Sequence, residues 1–390
     1  MIDFIADNRI QLLRTGAQYF PALLAAIDAA ENEIYLETYI FADDGTGRSV
    51  ASALARAARR GVTTHLLIDG FGSKELSEDF LRALRADGVR LLKYRPAVSP
   101  WTLKRQRLRR LHRKIAVIDA RIAFVGGINV IDDMHTPNQV PPRFDYAVRI
   151  EGPLLAVIYP VVAKLWSRVT WTQFREPWPH GSPPPLCAAP CGTQRAAFVI
   201  RDNLRHRNDI ENAYLEAIAG ARNEIVIANA YFFPGRSFRR ALVDAAARGV
   251  RVVLLLQGRV EYVLLHYASR ALYHRFLDAG IEIFEYHRSF LHAKVAVIDR
   301  QWSTVGSSNI DPYSLLLARE ANVVIDDAAF ARELGASLSE AMAGGAQRVE
   351  PASWEKLSHS LPMRIATWIC YGAVRFLSGW SSYGRAREFT

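Results

Sequence analysis

The chain has 390 residues, 50% of them hydrophobic and 23% charged, with a formal net charge of +10. That is a normal globular balance for two or three domains, and the basic excess favours anionic partners: phosphate-bearing substrates, nucleic acid or acidic lipid. Three cysteines, Cys187, Cys191 and Cys370, give no disulfide framework and no second pair to complete a zinc site, so a reducing compartment and no metal are expected.

The opening stretch "MIDFIADNRIQLLRTG" carries Asp3, Asp7 and Arg9 where a signal peptide needs an apolar run. No segment offers about 20 uncharged apolar residues, so no spanning helix is expected. "QYFPALLAAIDAAEN" has a helical pattern and "EIYLETYI" reads as a buried strand. "DDGTG" at 43 lacks the further ligands of a metal loop and reads as a turn. "GRSVASALARAARRGV" then gives a helix and "THLLIDG" a strand. Such alternation predicts an α/β domain with a largely parallel sheet.

From residue 208 the order recurs. "NDIENAYLEAIAGARNEIVIANAYFF" and "FRRALVDAAARGVRVVLLLQGR" each give helix then strand. "LHRKIAVIDARIAFVGGIN" at 111 is answered by "LHAKVAVIDRQWSTVGSSN" at 291, an ungapped offset of 180 with ten of nineteen positions identical. Each copy leads into a strand and a helix, "DYAVRIEGPLLAVIYPVVAKLW" and "EANVVIDDAAFARELGASLSEAM". The expected organisation is a first domain over 1–176, a proline-rich linker over 177–196, a second domain over 197–350 and a terminal segment over 351–390.

One copy of His-x-Lys is ordinary in a core hairpin, but packing does not require the same polar residues twice. His112 and Lys114 share a strand face, as do His292 and Lys294. Asp119 and Asp299 have the opposite parity, so within the motif they are expected to fix the turn or pair with a nearby cation rather than touch substrate. Asn129 and Asn309, each 17 residues past its histidine, return as donors after Gly126 and Gly306. Two docked halves then offer two imidazoles, two ammoniums and two amides, a set that suits a phosphodiester. One histidine attacks phosphorus, the other protonates the leaving oxygen, and the fixed cations hold the non-bridging oxygens without a cofactor. Asp145 and Glu320, at the start of the strand after each motif, are the expected partners of the second ring nitrogens.

H-x-K-x-x-x-x-D twice, each followed by G-[GS]-x-N, resembles the phospholipase D superfamily over roughly residues 8–345. "ETYIF", "ARRGV", "LLIDGFGS" and "DYAVRIEGP" look like bacterial cardiolipin synthases of the type without N-terminal transmembrane helices. The resemblance implies two pseudo-symmetric phospholipase D-like domains with a shared active site at their interface. It also implies a ping-pong phosphatidyl transfer between two phosphatidylglycerols, with His112 as nucleophile and His292 as acid/base. The pseudo-symmetry of the residues themselves leaves that assignment open.

Lipid contact has two sequence candidates. Lys104, Arg105, Arg107, Arg109 and Arg110 form a basic block before His112, suited to anionic headgroups. "LPMRIATWICYGAVRFLSGW" near the C-terminus has a polar stripe on an otherwise apolar helix, which fits a helix lying in the membrane interface. Tyr39 and Tyr231 follow equivalent-looking strands near their carboxyl ends and are candidate substrate contacts. A peripheral enzyme on the cytoplasmic face of the bacterial inner membrane is the expectation, with phosphatidylglycerol as substrate, no metal and no nucleic-acid partner. Alternatives are a phospholipase D using water, a phosphatidylserine synthase, a nuclease of the same superfamily and a silent membrane-binding module.

Overall fold

A computed structural model of the chain describes residues 2–96, 109–136, 140–174, 189–202, 205–259, 263–311, 318–351 and 372. The first half runs β1 (Ile5–Arg14), α1 (Thr15–Asp28), β2 (Glu33–Thr38), α2 (Gly45–Arg59), β3 (Thr63–Gly70), α3 (Glu78–Ala86) and β4 (Arg90–Pro96). It continues with β5 (Arg110–Leu111), β6 (Lys114–Ile118), β7 (Ile122–Gly126), β8 (Tyr146–Glu151) and α4 (Leu155–Phe174). The second half runs β9 (Gln194–Arg201), α5 (Asp209–Gly220), β10 (Glu224–Asn229), α6 (Arg236–Ala247), β11 (Arg251–Gln257), α7 (Val263–Arg270), α8 (Tyr273–Asp278) and β12 (Glu282–Tyr286). It ends with β13 (Lys294–Ile298), β14 (Trp302–Gly306), β15 (Ala318–Asp326), α9 (Ala328–Gly345) and β16 (Ala346–Arg348).

The strand order β1-β8-β7-β6-β2-β3-β4 is repeated as β9-β15-β14-β13-β10-β11-β12, and β1 pairs with β9 to join the halves. The repeat read from the sequence is therefore a repeat of topology. The expected largely parallel sheet is corrected to a mixed one. Along the main strand path β2-β3-β4 and β10-β11-β12 are parallel, while β6, β7 and β8, like β13, β14 and β15, pair antiparallel. The reason is local. Asp119 and Ala120 both adopt positive φ (50° and 49°) and Arg121 N–H donates to Ile118 O at 2.9 Å, a two-residue hairpin turn that sends the strand straight back. Asp299 and Arg300 repeat it at 51° and 53°.

Strand parity distributes the apolar residues between cores. Ile115 and Val117 on β6, with Val295 and Val297 on β13, face a core shared by the halves and filled by α4 and α9. Ala116 and Ile118 face an outer core with α1, α2 and α3, and Ala296 and Ile298 face its counterpart with α5, α6 and α8. Fully burying each such valine or isoleucine contributes roughly 1.5–3 kcal/mol, so the two halves are held as one body. The "DDGTG" turn is the N-cap of α2: Asp44 Oδ1 accepts from Gly47 N–H at 2.8 Å. β1 was not visible as a strand in the sequence, because its polar residues Asp7, Asn8, Arg9 and Gln11 break the apolar run. No helix among the described residues is long and apolar enough to cross a bilayer.

Candidate active site

Both histidines lie where the halves meet, and each is held by the other half. β5 pairs in parallel with the start of β15, and His112 N–H donates to Arg319 O at 3.0 Å. Symmetrically, His292 N–H donates to Phe144 O at 2.8 Å. The residues after those two carbonyls are Glu320 and Asp145. His112 Nδ1 lies 2.9 and 3.1 Å from the two Glu320 oxygens, and His292 Nδ1 lies 2.5 Å from Asp145 Oδ2. Each carboxylate lies against a histidine ring of the other half, so the pairing crosses the interface. With Nδ1 engaged, each ring is left its Nε2 for chemistry.

Lys114 Nζ donates to His112 O at 2.6 Å, and Lys294 Nζ donates to His292 O, so each ammonium stays beside its own histidine. Asn129 and Asn309 are buried after β7 and β14; Asn129 Oδ1 accepts from Ile40 N–H at 3.1 Å. Tyr39 joins the site: its ring stands edge-on to His112 with centroids 4.9 Å apart, and Lys114 Nζ is 5.5 Å from its centre. Tyr231 is not its counterpart. Strand register sets Ile34 opposite Ile118 and Ile225 opposite Ile298, so Ala230 takes the place of Tyr39 and half-buried Tyr231 that of Ile40.

The electrostatics follow from packing these groups out of water. Burial pushes the His112 imidazole below its ordinary pKa against the pull of Glu320, with Lys114 and Lys294 adding to the lowering. Burial, Lys294 and Lys114 push His292 well below. Burial also drives Lys114 down to about 7, opposed by Glu320 and aided by Lys294. Asp145 is driven up to about 7 by burial, against Lys294 and the Tyr146 N–H. Asp145 and His292 titrate as a coupled pair, and an arriving phosphate anion favours a proton on the imidazole.

The two halves are not equivalent here. Ser307 Oγ donates to Glu320 Oε2 at 2.5 Å, whereas a Cβ at the matching Gly127 would collide with the Asp145 carboxylate. Glu320 thus gains a donor that Asp145 lacks; Asp145 Oδ1 instead accepts from its neighbour Tyr146 N–H at 2.8 Å. Arg113, of opposite parity to His112, is buried against Glu37, with Nη2 2.8 Å from Oε1 and side-chain exposures of 3% and 2%. Apolar Ala293 and Ala228 stand at those positions in the second half. Sequence reasoning passed over this ion pair; its signal was one acid and one base inside otherwise apolar strands.

Asp119 and Asp299, the aspartates of the two H-x-K-x-x-x-x-D motifs, hold the hairpin ends and not the reacting centre. Asp119 accepts from the N–H groups of Glu31, Asn32 and Glu33 at 2.7–2.8 Å, at the far end of the hairpin. Asp299 accepts from Arg222, Asn223 and Glu224 at 2.7–2.9 Å. Burial alone would raise the Asp299 pKa, but these donors outweigh it and hold it below the usual carboxylate value. Each aspartate ties the motif hairpin to the loop before its neighbouring strand. Asp119→Ala is expected to lower unfolding free energy by about 3 kcal/mol in urea titration, while kcat of the folded enzyme stays within about threefold. A large kcat loss at unchanged stability would refute this division.

Of the basic block, Arg110 and half-buried Arg109 are described, and Lys104, Arg105 and Arg107 lie outside the described residues. Arg110 sits over the Phe71 ring at 5.2 Å, with Nη1 3.7 Å from Asp69 Oδ1. Asp69 Oδ2 also accepts from Leu111 N–H at 2.9 Å, fixing the backbone just before His112.

A family model described as "Cardiolipin synthase, PLD-like domain" matches residues 23–140 and 214–342, so each copy carries one histidine motif. Cardiolipin synthase B of Escherichia coli strain K12 is 40% identical over 364 residues, covering 91% of this chain and 86% of that protein. The chain belongs to the cardiolipin synthase family. A cardiolipin synthase of Geobacillus kaustophilus, 32% identical, covers 82% of the chain and 63% of its own length. Among solved structures, phosphatidylserine synthase of Haemophilus influenzae superposes with a TM-score of 0.70 at 13% identity, covering 95% of this chain and 97% of that one. That likeness is one of fold, and the PLD-like assignment rests on the family model.

Proposed function

We propose that the chain moves a phosphatidyl group from one phosphatidylglycerol to a hydroxyl of a second, releasing glycerol and forming cardiolipin. The observation that carries this reading is the crossed pair of histidine–carboxylate dyads flanked by two lysines and two asparagines, in a chain of the cardiolipin synthase family. His112 Nε2 attacks phosphorus while His292 gives its proton to the departing glycerol oxygen. Lys114, Lys294, Asn129 and Asn309 hold the non-bridging oxygens as charge builds. In the second step His292 takes the proton of the acceptor hydroxyl, the P–O bond forms and the P–N bond to His112 breaks. Purified protein incubated with phosphatidylglycerol in mixed micelles should yield cardiolipin and glycerol, identified by mass. Phosphatidic acid alone would mean hydrolysis and overturn the transfer reading.

The enzyme must take its lipid from a surface, and exposed apolar side chains in the segments that lead to the site residues would suit one. Phe71 (43% exposed) follows β3 beside Arg110, while Met134 (61%) and Val140 (53%) lie in the chain leading to Asp145. Lys74 and Arg110 both stand over the Phe71 ring. Apolar tips that enter the interface, with cations at headgroup level, support peripheral attachment at the cytoplasmic face of the inner membrane. The amphipathic segment 351–390, which falls almost wholly outside the described residues, is proposed to add to it. A Phe71→Asp, Met134→Asp double variant should bind phosphatidylglycerol vesicles at least ~10-fold more weakly in co-sedimentation, yet turn over a short-chain soluble substrate normally. Unchanged sedimentation would remove the rim from the reading.

A further inference from the structure

Arg143 is a cation that the chemistry above does not use. It lies two residues before Asp145, and its backbone N–H donates to Asp133 O at 2.9 Å. Its guanidinium stands over the Phe290 ring at 4.9 Å, and that ring is stacked near-parallel with His292, centroids 6.0 Å apart. The Nε atom is buried and lacks a hydrogen-bond partner among the described residues. Nor does a carboxylate among them come within ion-pair distance of the guanidinium. Its positive charge is felt at His292, where it adds to the lowering of the imidazole pKa.

The opposite flank differs. Ala318 stands at the position matching Arg143, and the cations near His112 are engaged: Arg110 with Asp69 and with Arg95 O at 3.5 Å, Arg319 with Tyr94 Oη at 3.1 Å. The asymmetry meets a need of the reaction, given the function proposed above. The leaving glycerol and the incoming acceptor both occupy the His292 side, since His292 protonates the first and deprotonates the second. Glycerol is neutral. The acceptor lipid carries, across its three-carbon glycerol, a phosphodiester anion that the central lysines and asparagines, occupied by the transferring phosphate, do not hold.

We propose that Arg143 binds the phosphate of the acceptor lipid, the one that is not attacked, and so selects a phosphatidylglycerol acceptor over a neutral alcohol. In the transfer step the acceptor oxygen bonds to phosphorus, its proton passes to His292 and the bond from phosphorus to His112 Nε2 breaks. Arg143 remains a spectator cation on the second phosphate. Donor binding and glycerol release do not call on it.

The test compares two acceptors on the same full-length enzyme. Exchange of labelled glycerol into phosphatidylglycerol uses a neutral acceptor; cardiolipin formation uses the anionic one. Arg143→Gln should cut cardiolipin formation about tenfold or more, mainly through KM for the acceptor, with glycerol exchange within about twofold of the parent. Arg143→Lys should restore part of the loss. Because exchange requires a folded site, it also guards against a variant that merely fails to fold. Parallel loss of both activities would make Arg143 a general support of His292 and overturn the proposal, as would unchanged cardiolipin formation. A parent enzyme that exchanges glycerol but makes no cardiolipin would instead refute the function on which the proposal rests.

Discussion

Replacing His112 with alanine should abolish both half-reactions, with a loss of at least about 10⁴-fold in kcat. In the proposed mechanism its imidazole forms the bond to phosphorus, and Lys114, the amine beside it, is turned onto the His112 carbonyl at 2.6 Å. His292→Ala should be as damaging with phosphatidylglycerol but different in kind. Its role is to supply and remove a proton, so a substrate whose leaving group needs none bypasses half of the defect. With phosphatidyl-p-nitrophenol, His292→Ala should release close to one p-nitrophenolate per enzyme in a rapid burst and then stall, since the acceptor hydroxyl is no longer deprotonated. Mass analysis of the stalled protein should find the phosphatidyl group on the peptide containing His112. A burst in His112→Ala, with the label on His292, would reverse the roles. Full turnover in either variant would dismiss the two-histidine mechanism.

How legible was this in the sequence? The gapless repeat from 111 and 291 gave away the pseudo-symmetry, and strand parity placed His112 and Lys114 together and set Asp119 apart. Those are local properties, and local properties survive in sequence. The crossing of Glu320 to His112 and of Asp145 to His292 is not local: it depends on parallel pairing of β5 with β15 and of the Phe144 segment with the Leu291 segment. No spacing within one half encodes that. The mixed sheet was misjudged because helix–strand alternation dominates each half while the antiparallel return rests on two turn residues at positive φ. Tyr231 was paired with Tyr39 by resemblance of segments, and the register moved it by one position. In the pattern G-[GS]-x-N Ser307 is merely the alternative to Gly127; only the structure relates it to the Glu320 carboxylate.

Glu320→Gln should lower kcat by roughly 10³–10⁴-fold although the two side chains have nearly the same shape. Ser307 Oγ donates to Glu320 Oε2, so in the variant it favours the amide oxygen there, 3.1 Å from His112 Nδ1, and puts the amide nitrogen at the nearer Oε1 position, 2.9 Å away. A donor there turns His112 Nδ1 into an acceptor and moves the ring proton to Nε2, the atom that must attack phosphorus. Ser307→Ala relieves that constraint and costs less, about tenfold. Asp145→Asn repeats the exchange on the other dyad, where the Tyr146 N–H fixes the oxygen and points the amide nitrogen at His292. There the consequence is a weak acid rather than a blocked nucleophile, since Nε2–H remains but the ring is neutral. The phosphatidyl-p-nitrophenol burst separates the two: Asp145→Asn should recover most of its first half-reaction with that leaving group, and Glu320→Gln should not. Equal recovery in both, or in neither, would contradict the crossed assignment. If it holds, each half supplies a histidine that only the other half can orient, and the duplication becomes a requirement of the chemistry as well as of the shared core.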